Sequence, residues 1–273
     1  KVQMVDTGNL INYVPASVAS NIDGADKVPL VQQYIDKLFI FNTVGSNVPA
    51  IMNVWQLTEP AMKGRVFFKS PETEKVNENF LIMLTNKTWA DKLAKAYKNL
   101  YGKDIQLGSY KNAGYKWIAE FLHNCSFGNT DTTIAEQISN AEASGKIGLF
   151  VLSKLRSKTV RTENLEIASY YADGKNTTVD PFAGFMYPLY VQIVKTTTMP
   201  YTSMLFVEHL VTAAGYAPWA KNIGAYSSNA SIPVNKGDQP LSYWKTRLVM
   251  EDPEYINEAY ADVFEFISKN LTK

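Results

Sequence analysis

Thr130, Asp131, Thr132 and Thr133 set three hydroxyls and a carboxylate on consecutive positions just ahead of a helical stretch. Backbone N–H groups left free at a helix start, joined by hydroxyls, form a natural site for an anion, and the same pattern serves as an ordinary helix cap. Ser153, Lys154 and Arg156 follow an apolar run, and the ends of strands are where α/β sheets hold their ligands. Arg156 has the fork that pairs bidentately with a carboxylate or phosphate, whereas Lys154 would act as a looser point charge. The doublet Tyr170-Tyr171 offers two phenols, hard oxygen donors suited to ferric ion. Among 16 tyrosines the plainer account is one ring packed and its neighbour in water. Phe182, Phe185, Tyr187 and Tyr190 form an aromatic stretch that suits a pocket wall or a packed core.

Catalytic signatures are missing: the sequence has no G-x-S-x-G elbow, no phosphate-binding G-x-x-x-x-G-K-[ST] and no G-x-G-x-x-G. Its two histidines, His123 and His209, fall on separate helical stretches without a second histidine at ligand spacing, which points to structural roles. The single cysteine, Cys125, excludes an intrachain disulfide and a multi-cysteine metal cluster. No enzyme, resident metal or cofactor is therefore expected. With 27 basic against 26 acidic residues, the chain lacks the concentrated basic field that nucleic acid or an anionic membrane requires. No segment approaches the roughly 18 uninterrupted apolar residues of a membrane span.

The elements that must position these groups are legible from periodicity. Strands are expected at Leu38–Phe41, Arg65–Lys69, Ile147–Leu152, Leu165–Tyr170 and Tyr190–Val194. The first helix is expected to open at Ser70-Pro71, with Val76, Phe80, Met83 and Leu84 on one face. A second is capped by Thr88 with Asp91, carries Trp89, Leu93, Tyr97 and Leu100, and stops at Gly102. A third spans Ala113–His123, and a fourth runs from Thr132 to Ala143, closed by Gly145. Pro200 opens a long helix ending at Gly215, and Asp252-Pro253 starts a last one reaching Leu271. Such alternation implies α/β layering with mostly parallel sheets.

The order of segments resembles that of the extracellular solute-binding proteins of ABC importers, those with a two-lobed type II periplasmic-binding fold. A strand ending in Phe41-Asn42 is followed by Trp55, Leu57, Thr58, Pro60, Lys63, Gly64, Arg65 and Val66, a run similar to the family's segment leading into the second lobe. Residues 138–156 look like its helix, glycine turn and cleft-facing strand. Residues 180–219 are similar to the segment returning to the first lobe, with Ser203 where alanine is common. The similarity extends from about Asp6 to Ile267, within the ferric-iron, phosphonate and sugar-phosphate branch.

The resemblance implies an α/β protein whose first lobe is incomplete, because the strand and helix set that usually opens the family has no counterpart. It divides the chain into 1–50, a remnant of the first lobe and crossover; 51–175, the second lobe; and 176–273, the return to the first lobe with C-terminal helices. It implies a small solute trapped between hinged lobes and delivered to an ABC permease, with no catalysis. Asn42 and Trp55 are the expected contacts from the first-lobe and crossover side. Thr132, Thr133, Ser153, Lys154 and Arg156 are those of the second lobe, with Tyr171, Phe182 and Tyr187 as walls. A small anion such as a phosphonate, sugar phosphate or carboxylate is the favoured cargo, with ferric ion held by tyrosine phenolates as the alternative. An extracytoplasmic location follows, with any membrane attachment through a lipid anchor on a missing N-terminal part. A hydrolase or transferase on a related scaffold, and a sensory or adhesive module, are the readings from other classes.

Overall fold

The computed structural model describes residues 7–45, 51–169 and 178–271. In chain order, β1 (Leu10–Ile11) and the long β2 (Val31–Asn42) are followed by β3 (Val66–Lys69), α1 (Lys75–Leu84), α2 (Lys87–Tyr101) and α3 (Ala113–Asn124). Next come β4 (Cys125–Gly128), α4 (Asp131–Ser139), β5 (Ile147–Val151) and β6 (Leu165–Ile167). The remainder comprises β7 (Gly184–Tyr190), β8 (Ile193–Val194), α5 (Pro200–Leu210), α6 (Ala213–Tyr216), β9 (Ala225–Ser227), α7 (Leu241–Lys245), β10 (Val249–Met250) and α8 (Pro253–Leu271). Two compact units result: a smaller one from Lys1–Asp36 and Met186–Trp244, and a larger one from Lys37–Phe185 and Lys245–Lys273.

In the larger unit β3 runs parallel to β4, Val66 opposite Cys125 and Lys69 opposite Gly128, and parallel to β5, Val66 opposite Ile147. The second half of β2 lies antiparallel to β5, Lys37 opposite Val151, and to β6, Ile40 opposite Ile167. The sheet is mixed, which corrects the expectation of mostly parallel strands. β2 is buried along nearly its whole length, as a strand covered on both faces must be. Its core is aromatic: Trp117 stacks on Phe121 with ring centroids 4.4 Å apart, and Phe80 meets Phe182 edge-on at 5.7 Å. α8 closes this unit: its Asp262 takes hydrogen bonds from Lys111 and Tyr115, and Tyr255 bonds Thr85.

The smaller unit pairs β9 with the first half of β2, Tyr226 opposite Tyr34, and β1 with β8 in a separate two-stranded ribbon. Val18, Ile22, Leu30, Ile193, Val207 and Val211 form a modest core under α5.

Several element starts differ from the sequence pattern. Residues 70–74 form a turn, with the Thr73 and Glu74 N–H groups both reaching the Ser70 carbonyl, so α1 begins at Lys75. Asn86 caps α2 by accepting the Thr88 N–H at 2.9 Å, in place of Thr88 itself. Thr130 caps α4, which ends at Ser139, before a 3-10 turn over Ala141–Ala143. The strand expected at Tyr190–Val194 is β7 ending at Tyr190 and a two-residue β8.

Candidate functional site

Register alone brings the chemistry to one edge. Parallel pairing sets the C-terminal ends of β3 at Lys69 and of β4 at Gly128 side by side, and antiparallel pairing places Lys37 against Val151, the last residue of β5. α4 starts three residues after Gly128, so its first turn stands at the same edge. A 3-10 turn over Leu152–Arg156 carries Ser153, Lys154 and Arg156 directly beyond β5. The outer edge of parallel strands is where such sheets accept ligands.

Lys37 anchors this edge. It is only 2% exposed, its Nζ donates to Asn77 Oδ1 at 2.8 Å, and it lies 3.4 Å from Asp131 Oδ1. Asn77 in turn donates to the Lys69 carbonyl at 2.8 Å, and Lys69 pairs with Glu74. Burial lowers the Lys37 pKa, while Asp131 and Glu74 hold it up in part. Burial acts to raise Glu74, but its bond from Lys69 and the charge of Lys37 bring it below the usual carboxylate range. Two ammonium groups thus face two carboxylates, and the buried edge is balanced in charge. Asp131 Oδ1 attracts Lys37 without hydrogen-bond alignment and has no hydrogen-bond partner, which leaves an acceptor that a donor hydroxyl would satisfy.

Beside Asp131, Thr130 Oγ1 accepts the Thr133 N–H at 3.0 Å and lies 2.8 Å from Thr133 Oγ1. Thr132 and Thr133 are half-buried, as are Ser153 and Lys154, while Arg156 is exposed. Of the residues expected to touch a solute, these five are the ones gathered at this edge. Asp131, which the sequence offered as the carboxylate of the Thr130–Thr133 segment, joins them, and Lys37, Lys69, Glu74 and Asn77, which were not singled out by sequence pattern, complete the edge. The signal available for Lys37 was a lysine leading directly into the apolar run Leu38–Phe41, since a lysine is almost never fully buried unless paired.

The other expected contacts lie elsewhere. Asn42 is fully buried and spends its amide on the backbone carbonyls of Ile138 and Asn140, both at 2.7 Å, while its Oδ1 accepts the Val44 N–H. Trp55 is fully buried with its indole N–H on the Leu93 carbonyl at 2.8 Å. Phe182 packs among Phe80, Trp89 and Trp117. Trp55 and Phe182 pack in the core, and Asn42 ties backbone groups together. Tyr187 is half-buried on β7 in the smaller unit, and Tyr171 lies outside the described residues. Two concavities in the larger unit sit away from the strand-end edge. One of about 320 Å³ is lined by Thr58, Tyr110, Glu120 and His123, and one of about 160 Å³ by Phe41, Asn42, Arg65 and Lys146, so Asn42 borders a concavity other than the strand-end edge. His123 Nε2 lies 3.2 Å from Lys63 Nζ, and burial pushes the Cys125 thiol up, away from reactivity. Among the described residues no group of three or more His, Cys, Asp or Glu side chains is placed to hold a metal, and no helix is long and apolar enough to cross a membrane.

No family model and no curated protein matches the sequence. Solved structures do match the fold over almost the whole chain. A ferric binding protein from Campylobacter jejuni aligns with a TM-score of 0.63 at 12% identity, covering 96% of this chain and 78% of its own. An ABC transporter structure from Clostridium perfringens gives 0.62 at 10%, covering 98% and 79%. The periplasmic binding protein AfuA from Actinobacillus pleuropneumoniae, with fructose-6-phosphate bound, gives 0.61 at 16%, covering 96% and 75%. The chain has the type II periplasmic-binding fold. Lys37, Lys69, Gly128 and Val151 share one edge of the sheet of the larger unit, the kind of edge at which α/β layers accept ligands in general.

Proposed function

We propose that this chain is the solute-capturing component of an ABC importer, acting outside the cytoplasm, binding a small polyhydroxylated anion such as a sugar phosphate and handing it to a permease without chemical change. The observation that carries this reading is the strand-end edge of the larger unit. Asp131 Oδ1, which lacks a hydrogen-bond donor, would accept from a ligand hydroxyl. The Thr132, Thr133 and Ser153 hydroxyls add donors, and Lys154 and Arg156 supply the positive charge that an anionic group needs. The inner ring of Lys37, Asn77, Lys69 and Glu74 holds these groups in place and, being balanced, leaves selection by charge to the outer residues. The fold supports transport binding, since the solved neighbours include a periplasmic protein with fructose-6-phosphate bound.

Thermal unfolding against sugar phosphates, inorganic phosphate, phosphonates, dicarboxylates and ferric citrate tests the reading. A ligand at a hundred times its dissociation constant adds about 2.7 kcal/mol. Stabilisation by a phosphorylated sugar, lost in Arg156→Ala, is the expected result. Silence toward every anion would discard it.

Ferric ion is the second reading, favoured by neighbours that include ferric binding proteins. Among the described tyrosines, burial raises the pKa of Tyr34, Tyr101, Tyr115, Tyr216, Tyr226 and Tyr255, which opposes phenolate ligation by these six. A purple-red absorption on adding iron, absent with anions, separates the two cargoes.

A further inference from the structure

Asp36, Tyr216 and Tyr226 bury polar groups in the smaller unit that the strand-end edge does not use. They are 0%, 2% and 2% exposed, and neither oxygen of the Asp36 carboxylate and neither phenol oxygen has a hydrogen-bond partner. Nearly all buried polar atoms are partnered, so four without one point to a bound ion or water.

Register and hydrogen bonds gather these groups. Tyr226 on β9 is opposite Tyr34 on β2, and the Asp36 N–H reaches the Gly224 carbonyl at 2.9 Å. Asp36 stands two residues from Tyr34, so its side chain leaves the same face of the strand pair as Tyr226, as a diagonal neighbour within reach of an aromatic side chain. The Gly224 N–H in turn donates to Asp238 Oδ2 at 2.6 Å, which fixes a second carboxylate at that end of the pair. Asp238 also takes the Gln239 N–H at 2.7 Å and the Trp244 indole N–H at 3.3 Å. It is well supplied with donors, whereas Asp36 has none. Tyr226 lies beside Asp238 without the alignment of a hydrogen bond. The charge of Asp238 acts on Asp36, on Tyr226 and on Tyr216 at the end of α6, so all four side chains share one locality.

The chemistry of this cluster is one-sided. Its unpartnered atoms are all oxygen, and among the described residues the only charge acting on Asp36 is that of Asp238, which repels it. Burial keeps the protons on Tyr216 and Tyr226, so both offer neutral oxygens in place of the phenolates that suit ferric ion. Buried charges are paired or bound to a metal, and oxygen-only donor sets suit hard cations. Water would supply hydrogen bonds and leave the like charges of Asp36 and Asp238 unopposed. A cation supplies a partner for the oxygens and offsets the charges together. Calcium and sodium tolerate an irregular oxygen set, where magnesium demands a near-ideal octahedron. We infer that Asp36, Tyr216 and Tyr226 form a site for a hard cation of calcium or sodium size, with Asp238 as the neighbouring negative charge. The site belongs to the smaller unit alone and stands apart from the identity of the cargo.

Thermal unfolding in chelator-treated tetramethylammonium chloride, with sodium, magnesium and calcium chlorides titrated in at constant ionic strength, tests it. The melting temperature should rise and saturate with calcium or with sodium. Asp36→Asn, which keeps the shape of the side chain, should abolish the response, and Tyr226→Phe, which removes only the hydroxyl, should weaken the affinity at least about tenfold. No response to calcium or sodium assigns the cluster to water and overturns the proposal, as does a rise of equal size in Asp36→Asn. Should the Asn variant not fold, equilibrium dialysis of radiolabelled calcium and sodium against wild type and Tyr226→Phe decides; absent binding, or binding that is equal in both, is the contrary result. None of these readouts involves an anionic solute, so a failure here leaves the transport reading standing, and the reverse.

Discussion

Lys37 sits in a place that water does not reach, where burial lowers its pKa, and the hydrogen bond to Asn77 and the charge of Asp131 offset part of that cost. Removing one partner of a buried pair leaves the other stranded, at a cost of about 3 kcal/mol or more, whereas replacing both by neutral groups of similar shape is often nearly harmless. Lys37→Met should therefore lower the urea midpoint of unfolding strongly, and Lys37→Met with Asp131→Asn should recover much of the loss. If the double variant is no better than the single one, Asp131 is not the partner that matters. The hydroxyls of Thr130–Thr133 and the basic pair Lys154 and Arg156 were legible in the sequence because capping residues and strand-end charges have local signatures. The structural duties of Asn42 were not, since its amide is consumed by carbonyls nearly a hundred residues away. No local pattern reports such a bond.

At the level of elements, the position of Lys37 depends on how closely β7 approaches β2. A Cβ added at Gly184 would lie 2.1 Å from the Lys37 carbonyl oxygen and 2.8 Å from the Leu38 Cα, so one backbone must move. Gly184→Ala should cost about 1–3 kcal/mol, as overpacking does, and should weaken solute affinity in parallel by displacing Lys37. Denaturation and ligand titration on the same variant check both, and an unchanged midpoint would contradict the tight approach. β7 itself was hidden in the sequence because Pro188 interrupts it, and proline argues against a strand interior. β4 and β9, at four and three residues, are too short to show a period. The long amphipathic helices α2, α3 and α8 were readable for the opposite reason, although the choice of Asn86 over Thr88 as a cap was settled by geometry that two similar side chains offer equally.

The molecule as a whole carries acids whose proton affinity changes on folding. Burial raises Glu251 to about 7 despite a hydrogen bond from Asn79, and burial with the nearby charge of Asp238 raises Asp36 well above the normal range. A carboxyl with a raised folded-state pKa keeps its proton while the unfolded chain has lost its own, so stability declines as pH rises through the interval between the two values. For Glu251 that interval runs from 4.5 to about 7. Urea midpoints should fall from pH 5 to pH 8, and Glu251→Gln should flatten part of the slope, Asp36 retaining the rest. A wild-type profile that rises across this range would refute the assignment. The fold was recognisable from the order of segments around Trp55, Gly64 and Pro200. The passages between units were not, because the first falls between Asp36 and Lys37 inside β2 and the second between Phe185 and Met186 inside β7, where no turn or linker marks them.

The larger unit draws on two stretches of chain separated by much of the smaller one, and α8 is its last piece. During synthesis, the aromatic interior around Phe80 and Trp117 is assembled well before the helix that seals α1 and α3 has emerged from the ribosome. That core must wait with one side open, a period in which a nascent chain is most exposed to misassociation.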